Sequence, residues 1–385
     1  MDRQTGDSGT LPPINFFDLQ AQQARLRTRI EQRFSNILDH GQYINGPEVA
    51  ELEAALAKHT GAKDAVAVGS GTQALVMPLI AMGLGHGDAV FLPAFTYNAT
   101  ANAVLLASAT PVFVDVDPDT FNMDPENFAK RIEDIKKRRN LRPRAVIPVD
   151  LFGTPADYPA IMEIAEANNI QVLADAAQSF GGKQGNRWVG SIAPVTATSF
   201  YPSKALGGYG DGGAVLCDDP EMADMLRSIR WHGTGSDRKD SVRVGINGRL
   251  DSIQCAIVAE KLTIFDDELT RRKEIAAIYE SRLKGLCRLQ ARPDNTESGY
   301  GLFTVAVEKD RDGVRARMQE QGVPTAIYYM NPLHKMPAFS EFPSSDGLPV
   351  CEALADQVIS LPMHAYLSDA QAHFVCDAFE KALKG

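Results

Sequence analysis

At 385 residues, 44% hydrophobic and 23% charged, the chain can bury a substantial core, which excludes disordered and membrane-embedded classes. Its formal charge of −10 argues against a general nucleic-acid binder, although a local basic groove can still hold an anion. Five cysteines set far apart, without CxxC or His/Cys ligand spacing, indicate neither a metal site nor a disulfide framework. No apolar run approaches the ~18 residues of a membrane span and the polar start lacks a signal-peptide core, so a cytoplasmic location is expected.

Length suggests about two domains. The pattern divides the chain into a flexible tail, 1–13, a large α/β domain, 14–250, a linking helix, 251–286, and a small α+β domain, 287–385. Residues 14–19 read as a short extended piece. An amphipathic helix follows over about 20–38, with Leu26, Ile30, Phe34, Ile37 and Leu38 on one face. Residues 40–47 are a turn cluster, and 48–59 a second helix. Short apolar runs then recur at 65–68, 89–92, 111–114, 145–149 and 170–174, several with helix-like stretches between them. This alternation predicts a mostly parallel sheet covered on both faces, with ligands bound beyond the carboxyl ends of its strands. Pro78 removes a hydrogen bond from the helical segment 73–82, so a kink or early break is expected there. The basic run 136–139, with Arg142 and Arg144, reads as a solvated helix end. Residues 218–230 read as a helix, and the loop 243–251 leads into one long helix, 251–286. Beyond it come a strand-like run, 302–307, and helices over 312–321 and 371–383.

Three features at strand ends bear chemistry. Lys204 stands between a hydroxyl-rich run that includes Ser199 and the glycine-rich turn from Gly207 to Gly213. Such a turn can take positive φ and approach a ligand closely. A lysine desolvated there has a lowered pKa and can form imines, although a surface lysine beside a tight turn fits the same residues. Ser70-Gly71-Thr72, between a strand and a helix, offers N–H groups and a hydroxyl to a phosphate, or is an ordinary N-cap. Asp175-Ala-Ala-Gln178 directly follows a buried strand. A carboxylate emerging there needs a firm partner, which a protonated heteroaromatic nitrogen or a structural ion pair supplies. Gln178 can project to the same side and bond a ring substituent. Phosphate cradle, carboxylate and imine-forming lysine in one α/β sheet suit pyridoxal 5′-phosphate (PLP).

With these features in place, the chain resembles the DegT/StrS-type PLP-dependent sugar aminotransferases from about Ile14 to the C-terminal region. The markers are Gly41-Gln-Tyr-Ile-Asn-Gly-Pro-Glu48, Gly69-Ser-Gly-Thr-Gln-Ala-Leu75, Pro93-Ala-Phe-Thr-Tyr-Asn-Ala-Thr100, Asp175-Ala-Ala-Gln-Ser-Phe-Gly181, Tyr201-Pro-Ser-Lys204, Gly210-Asp-Gly-Gly213 and Gly245-Ile-Asn-Gly-Arg-Leu-Asp251, in this order. The resemblance implies an aspartate-aminotransferase-like (type I) fold and a homodimer with shared active sites. It implies that Lys204 binds the cofactor covalently and later shuttles a proton at the substrate carbon. Asp175 would pair with the pyridine nitrogen, and Gln178 would contact the ring oxygen or face. Gly71, Thr72 and Ser199 would hold the phosphate with the partner subunit's Asn247, and Tyr97 would stack on the ring. L-glutamate would be the amino donor and a keto nucleotide sugar the acceptor, with ping-pong kinetics.

Within the family the chain looks most like aminotransferases acting on the 3-keto form of UDP-N-acetylglucosaminuronic acid, in cell-surface polysaccharide (O-antigen) synthesis. The grounds are Gly41-Gln-Tyr-Ile44, Arg243 to Asp251 and Ser360-Leu-Pro-Met-His364. Arg249 would then grip a substrate carboxylate with its planar fork, or else order the dimer interface. Tyr328-Tyr329, where relatives often carry His-Tyr, would touch the sugar. His334 either joins them or is a packed histidine in a Pro-rich loop. Competing expectations are amination of a 6-deoxy keto sugar at C4 or C3, a sugar dehydratase of the same family, and a catalytically silent regulator. The dehydratase carries histidine in place of the lysine, so Lys204 speaks against it. Intact Lys204, Asp175 and Gln178 speak against the regulator.

Overall fold

A computed structural model describes residues 11–138, 140–343 and 347–385. Residues 1–10 of the expected tail lie outside the described residues, as does Arg139 of the basic run; residues 11–13 are exposed coil. The segment expected to be extended is coil and bend ending at Asp18, whose carboxylate accepts the Ala21 N–H at 3.0 Å and caps α1 (Leu19–His40). Gly41 ends α1 at φ 68°, donating its N–H to the Ile37 carbonyl at 2.9 Å. α1 buries Leu26, Ile30 and Ile37 as its period predicts and half-buries Phe34, but Leu38, expected on the same face, lies at its edge and is exposed; α2 (Pro47–Thr60) opens on proline at its first position.

The strands and helices then alternate: β1 (Asp64–Val68), α3 (Gly71–Ala81), β2 (Asp88–Pro93), α4 (Ala99–Leu106), β3 (Thr110–Val114), α5 (Pro125–Arg138), β4 (Arg142–Val146), α6 (Tyr158–Ala167) and β5 (Gln171–Asp175). A two-residue pairing of β6 (Lys183–Gln184) with β7 (Arg187–Trp188) precedes β8 (Val195–Ser199), β9 (Gly213–Cys217) and α7 (Pro220–Ile229). Seven strands form one sheet in the order β1-β9-β8-β5-β4-β2-β3. β2 lies parallel to β3 and β4, β4 to β5, and β5 to β8, while β9 runs antiparallel to both its neighbours. The sheet is mostly parallel as expected, with β9 an additional and reversed strand.

Side chains alternate across this sheet. Val66, Val68, Val90 and Leu92 face a core shared with α3, α4 and α7. Ala89, Phe91, Val112 and Val114 face α5 and α6, and Ala65 and Ala67 face the helix α2. Two covered faces explain why these strands read as continuous apolar runs. α3 passes through Pro78 to Ala81 without the expected early break, because only one backbone bond is lost in a helix buried from Ala74 to Leu79.

The expected single helix 251–286 is two helices, α8 (Ser252–Leu262) and α9 (Phe265–Leu283). Between them the Thr263 hydroxyl donates to the Glu260 carbonyl at 2.6 Å, a side-chain bond that competes with the helical ladder. The remainder contains β10 (Arg288–Leu289), β11 (Thr296–Glu297), β12 (Phe303–Ala306), α10 (Arg311–Glu320), α11 (Pro349–Gln357), β13 (Val358–Leu361) and α12 (Asp369–Lys384). β10, β12 and β13 make an antiparallel sheet whose core is shared with α9, α10 and α12. Among the described residues no helix is long and apolar enough to cross a membrane.

Candidate active site

The carboxyl edge of the central sheet collects the residues singled out above. Ser70-Gly71-Thr72 follow β1, Tyr97 follows β2, Asp175 ends β5, and Ser199 ends β8 shortly before Lys204. Asp175 is buried. Its Oδ2 accepts the Thr100 hydroxyl at 2.8 Å and its Oδ1 the Ala177 N–H at 3.2 Å. Burial pushes this carboxyl upward, opposed by those two bonds and by the nearby Lys204 ammonium. Burial likewise pushes Lys204 downward, with Asp175 the charge that opposes it. Each charge therefore partly offsets the burial penalty of the other.

Gln178 is held at both ends of its amide. Its Oε1 accepts the Phe152 N–H at 2.7 Å, and its Nε2 donates to the Tyr329 hydroxyl at 2.9 Å. The amide nitrogen has a second hydrogen left for another acceptor. Phe152 makes its bond from a left-handed backbone, φ 62°, in the short turn Leu151–Gly153.

α3 begins against the end of β8. Ser70 caps it, accepting the Gln73 N–H at 3.2 Å, so Ser70 is an N-cap; the Gly71 and Thr72 N–H groups point beyond the helix. A β-carbon on Gly71 would lie 2.7 Å from Ser199 Cβ and 2.9 Å from its Oγ, so only glycine keeps this corner open. The glycine-rich turn works differently from expectation. None of its glycines from Gly207 to Gly213 has positive φ. They permit close packing on the chain's own backbone: a β-carbon would meet the Tyr201 carbonyl oxygen at 2.6 Å from Gly207, and the Ser70 and Thr198 carbonyl oxygens at 2.7 Å from Gly213.

Lys204 borders two cavities. One, of about 50 Å³, is lined by Phe17, Gln178, Ser203, Tyr328 and Tyr329. The other, about 20 Å³, is lined by Gln22, Glu268, Arg272, His364 and Tyr366. Burial raises the phenols of Tyr328 and Tyr329, keeping both protonated. Tyr97 is 58% exposed, with its ring 6.0 Å from that of Tyr329. Asn247 is exposed; its carbonyl accepts from Gln73 Nε2 at 3.2 Å. Arg249 lies over the Trp231 ring at 4.9 Å, and its buried Nε has no hydrogen-bond partner among the described residues. His334 is turned away from the Lys204 cavities, 3.0 Å from Glu352 of α11.

Three residues of this region are given no role by the sequence motifs. Thr100 holds Asp175 from α4, Phe17 lines both cavities, and Asp150 lies behind the Asp175 turn. Thr100 closes a marker string, which was a usable signal. Phe17 reaches the site only through tertiary folding.

These residues fit PLP. The corner at Gly71 and Ser199 is the size-restricted, donor-lined place that a phosphate needs. Lys204 makes no side-chain hydrogen bond among the described residues, and Asp175 retains unspent lone pairs for a ring N–H. Comparison with known proteins agrees. Over 95% of this chain and 99% of the relative, 44% of residues match the UDP-2-acetamido-2-deoxy-3-oxo-D-glucuronate aminotransferase of Pseudomonas aeruginosa. The dTDP-3-amino-3,4,6-trideoxy-alpha-D-glucose transaminase of Streptomyces venezuelae is 38% identical over 95% of each chain. A crystal structure of a DegT DnrJ EryC1 StrS aminotransferase from Brucella abortus superposes with a TM-score of 0.93, at 45% identity and covering 96% of this chain and 99% of that one. With the model of the DegT/DnrJ/EryC1/StrS aminotransferase family matching residues 24–380, the chain belongs to that family and is a PLP-dependent sugar aminotransferase.

Proposed function

We propose that the chain moves the amino group of L-glutamate to C3 of UDP-2-acetamido-2-deoxy-3-oxo-D-glucuronic acid. The observation that carries this is the 44% identity, over nearly the whole of both chains, to the Pseudomonas aeruginosa enzyme named for that substrate. Bound PLP withdraws electrons from the substrate carbon bearing the nitrogen, so that a proton can leave it and return during transfer. Lys204 holds the cofactor between turnovers and, once released, moves that proton with an amine whose charged form burial disfavours. Asp175 accepts the ring N–H, and Gln178 offers its remaining amide hydrogen to the ring oxygen or face. The Gly71 and Thr72 N–H groups and the Ser199 hydroxyl bind the phosphate, and Tyr97 covers the ring.

The assembly is a homodimer in which the partner subunit's Asn247 completes the phosphate site. Arg249, with an unpartnered buried Nε, grips the uronate carboxylate. Tyr328 and Tyr329 shape the sugar side; His334, turned onto Glu352, is the weaker member of that set. The reaction belongs in the cytoplasm, in the supply of amino sugars to cell-surface polysaccharide, a setting that five unpaired cysteines suit.

The test is turnover with L-glutamate against C3-keto and C4-keto nucleotide sugars, with product NMR to locate the new amine. The 3-oxo uronate should be the best acceptor. Amination of 6-deoxy keto sugars alone would replace this reading with the alternative that the 38% identical Streptomyces relative supports. Full activity of Arg249→Ala on the uronate would remove the carboxylate assignment.

A further inference from the structure

Asp150 has no part in the chemistry assigned so far, yet it is a carboxylate with 0% exposure beside the site. Such a group is costly unless its lone pairs are filled. Its Oδ1 accepts the Tyr158 hydroxyl at 2.7 Å and the Ala156 N–H at 2.9 Å, and its Oδ2 accepts the Ser179 hydroxyl at 2.7 Å. Burial pushes its carboxyl up to about 6 despite these bonds, and the neighbouring negative charge of Asp175 adds to the rise.

The bonds around Asp150 join two turns. Its own N–H donates to the Asp175 carbonyl at 3.0 Å, the Phe152 N–H donates to Gln178 Oε1 at 2.7 Å, and Ser179 donates to its carboxylate. The segment 150–152 therefore grips the turn that carries Asp175 and Gln178 at its start, at its amide and at its end. Tyr158 and Ala156 anchor the gripping carboxylate to α6 and the residues before it. A carboxylate suits the place because it accepts on both oxygens, so three donors can converge without one facing another.

We infer that Asp150 is a positioning residue of the transamination site, whose carboxylate, by holding Ser179, sets the Asp175–Ser179 turn so that Asp175 and Gln178 meet the cofactor ring beside Lys204. This rests on the assignment of Asp175 and Gln178 to the ring made above. Asp150 acts through Ser179 and the backbone of the 150–152 segment and touches no reacting atom.

The experiment compares the PLP-loaded wild type with Ser179→Ala, Asp150→Ala and Asp175→Asn. Three quantities are read: the rate of the glutamate half-reaction, KM for glutamate, and the pH midpoint of the visible cofactor band. Asp150→Ala should slow the half-reaction by about 100-fold and Ser179→Ala by about tenfold, the scale on which a misplacement of about 1 Å acts, with KM nearly unchanged. Both should move the band's pH midpoint in the same direction as Asp175→Asn, because the ring then loses part of its carboxylate contact. A fall in melting temperature with wild-type rate and band midpoint in both variants overturns the inference. If Asp150→Ala does not fold, Ser179→Ala decides by the same readouts. Should Asp175→Asn disturb rate and band while the other variants do not, the inference fails and the ring assignment stands. If Asp175→Asn leaves both unchanged, the ring assignment fails and this inference with it.

Discussion

Lys204 occupies surroundings that penalise its charge, the kind of place that favours the proposed proton transfer by its amine. Replacing it by alanine should lower kcat by about 10⁴-fold, the upper range for a positioned acid–base group, and abolish the lysine-linked visible band. Steady-state kinetics with glutamate check the first and absorbance the second; wild-type values for both would remove Lys204 from the mechanism. Gly71 offers a sharper geometric test. A β-carbon there must displace Ser199, because it would sit 2.7 Å from that residue's own Cβ. Gly71→Ala should therefore weaken PLP affinity by about tenfold or more while costing about 1–3 kcal/mol of stability, as overpacking does. Titration of the cofactor-free protein with PLP measures the first, and an unchanged affinity would place the phosphate elsewhere. At this scale the motifs were legible to different degrees. Asp175 and Lys204 could be read from strand ends because an α/β sheet puts ligands there. The glycines from Gly207 to Gly213 read as flexible backbone, but they are there for close packing against Tyr201, Ser70 and Thr198, partners outside the turn that leave no local signal. Phe17 had no local signal at all, since its neighbours come from distant parts of the chain.

Elements were most legible where burial leaves a strong pattern. β1, β2, β3 and β5 stood out as short apolar runs because both faces of the sheet are covered. β4 was expected at 145–149 but spans Arg142–Val146, its first half carrying charged residues that mask the run. The break between α8 and α9 has neither glycine nor proline to mark it, and depends on a threonine bond to the backbone. One element-level contact gives a prediction about pH. The segment before α1 is tied to the far end of the chain by His364 Nε2, 3.1 Å from the Asn15 carbonyl, and by Gln371 Nε2, which donates to the Pro12 carbonyl at 3.3 Å. Burial pulls His364 down to about 4 from an ordinary 6.5, so the histidine is neutral in the native protein. Because the folded value is the lower one, its contribution is fully present above about pH 6.5 and is lost as the pH falls toward 4. At 1.36 kcal/mol per unit the loss is at most about 3 kcal/mol. Denaturant titrations from pH 7 to 4 should show a shallower decline for His364→Gln than for the wild type. Parallel declines would show that His364 does not carry this acid sensitivity.

At the scale of the whole molecule, several large apolar side chains in and around the loop before α8 stand exposed. Val244 is 82% exposed, with Val242, Tyr43, Ile44 and Ile253 also exposed. Ile44 pairs with Asp251, and Asn247 lies in the same run, so this surface adjoins a residue assigned to the partner's phosphate site. If the proposed homodimer buries this loop, Val244→Asp should raise its dissociation constant by about 100-fold, the ~3 kcal/mol scale of an unpaired buried charge, and weaken PLP binding with it. Light scattering over a dilution series checks the mass, and an unaltered dimer would move the interface away from this loop. The tie between Asn15 and His364 has a further consequence, for the timing of synthesis. The two residues are separated by 349 positions, so at about 5–20 residues per second the N-terminal segment waits roughly 20–70 s on the ribosome for its anchor. Until then the smaller of the two cavities that Phe17 lines lacks the wall made by His364, Ala365 and Tyr366.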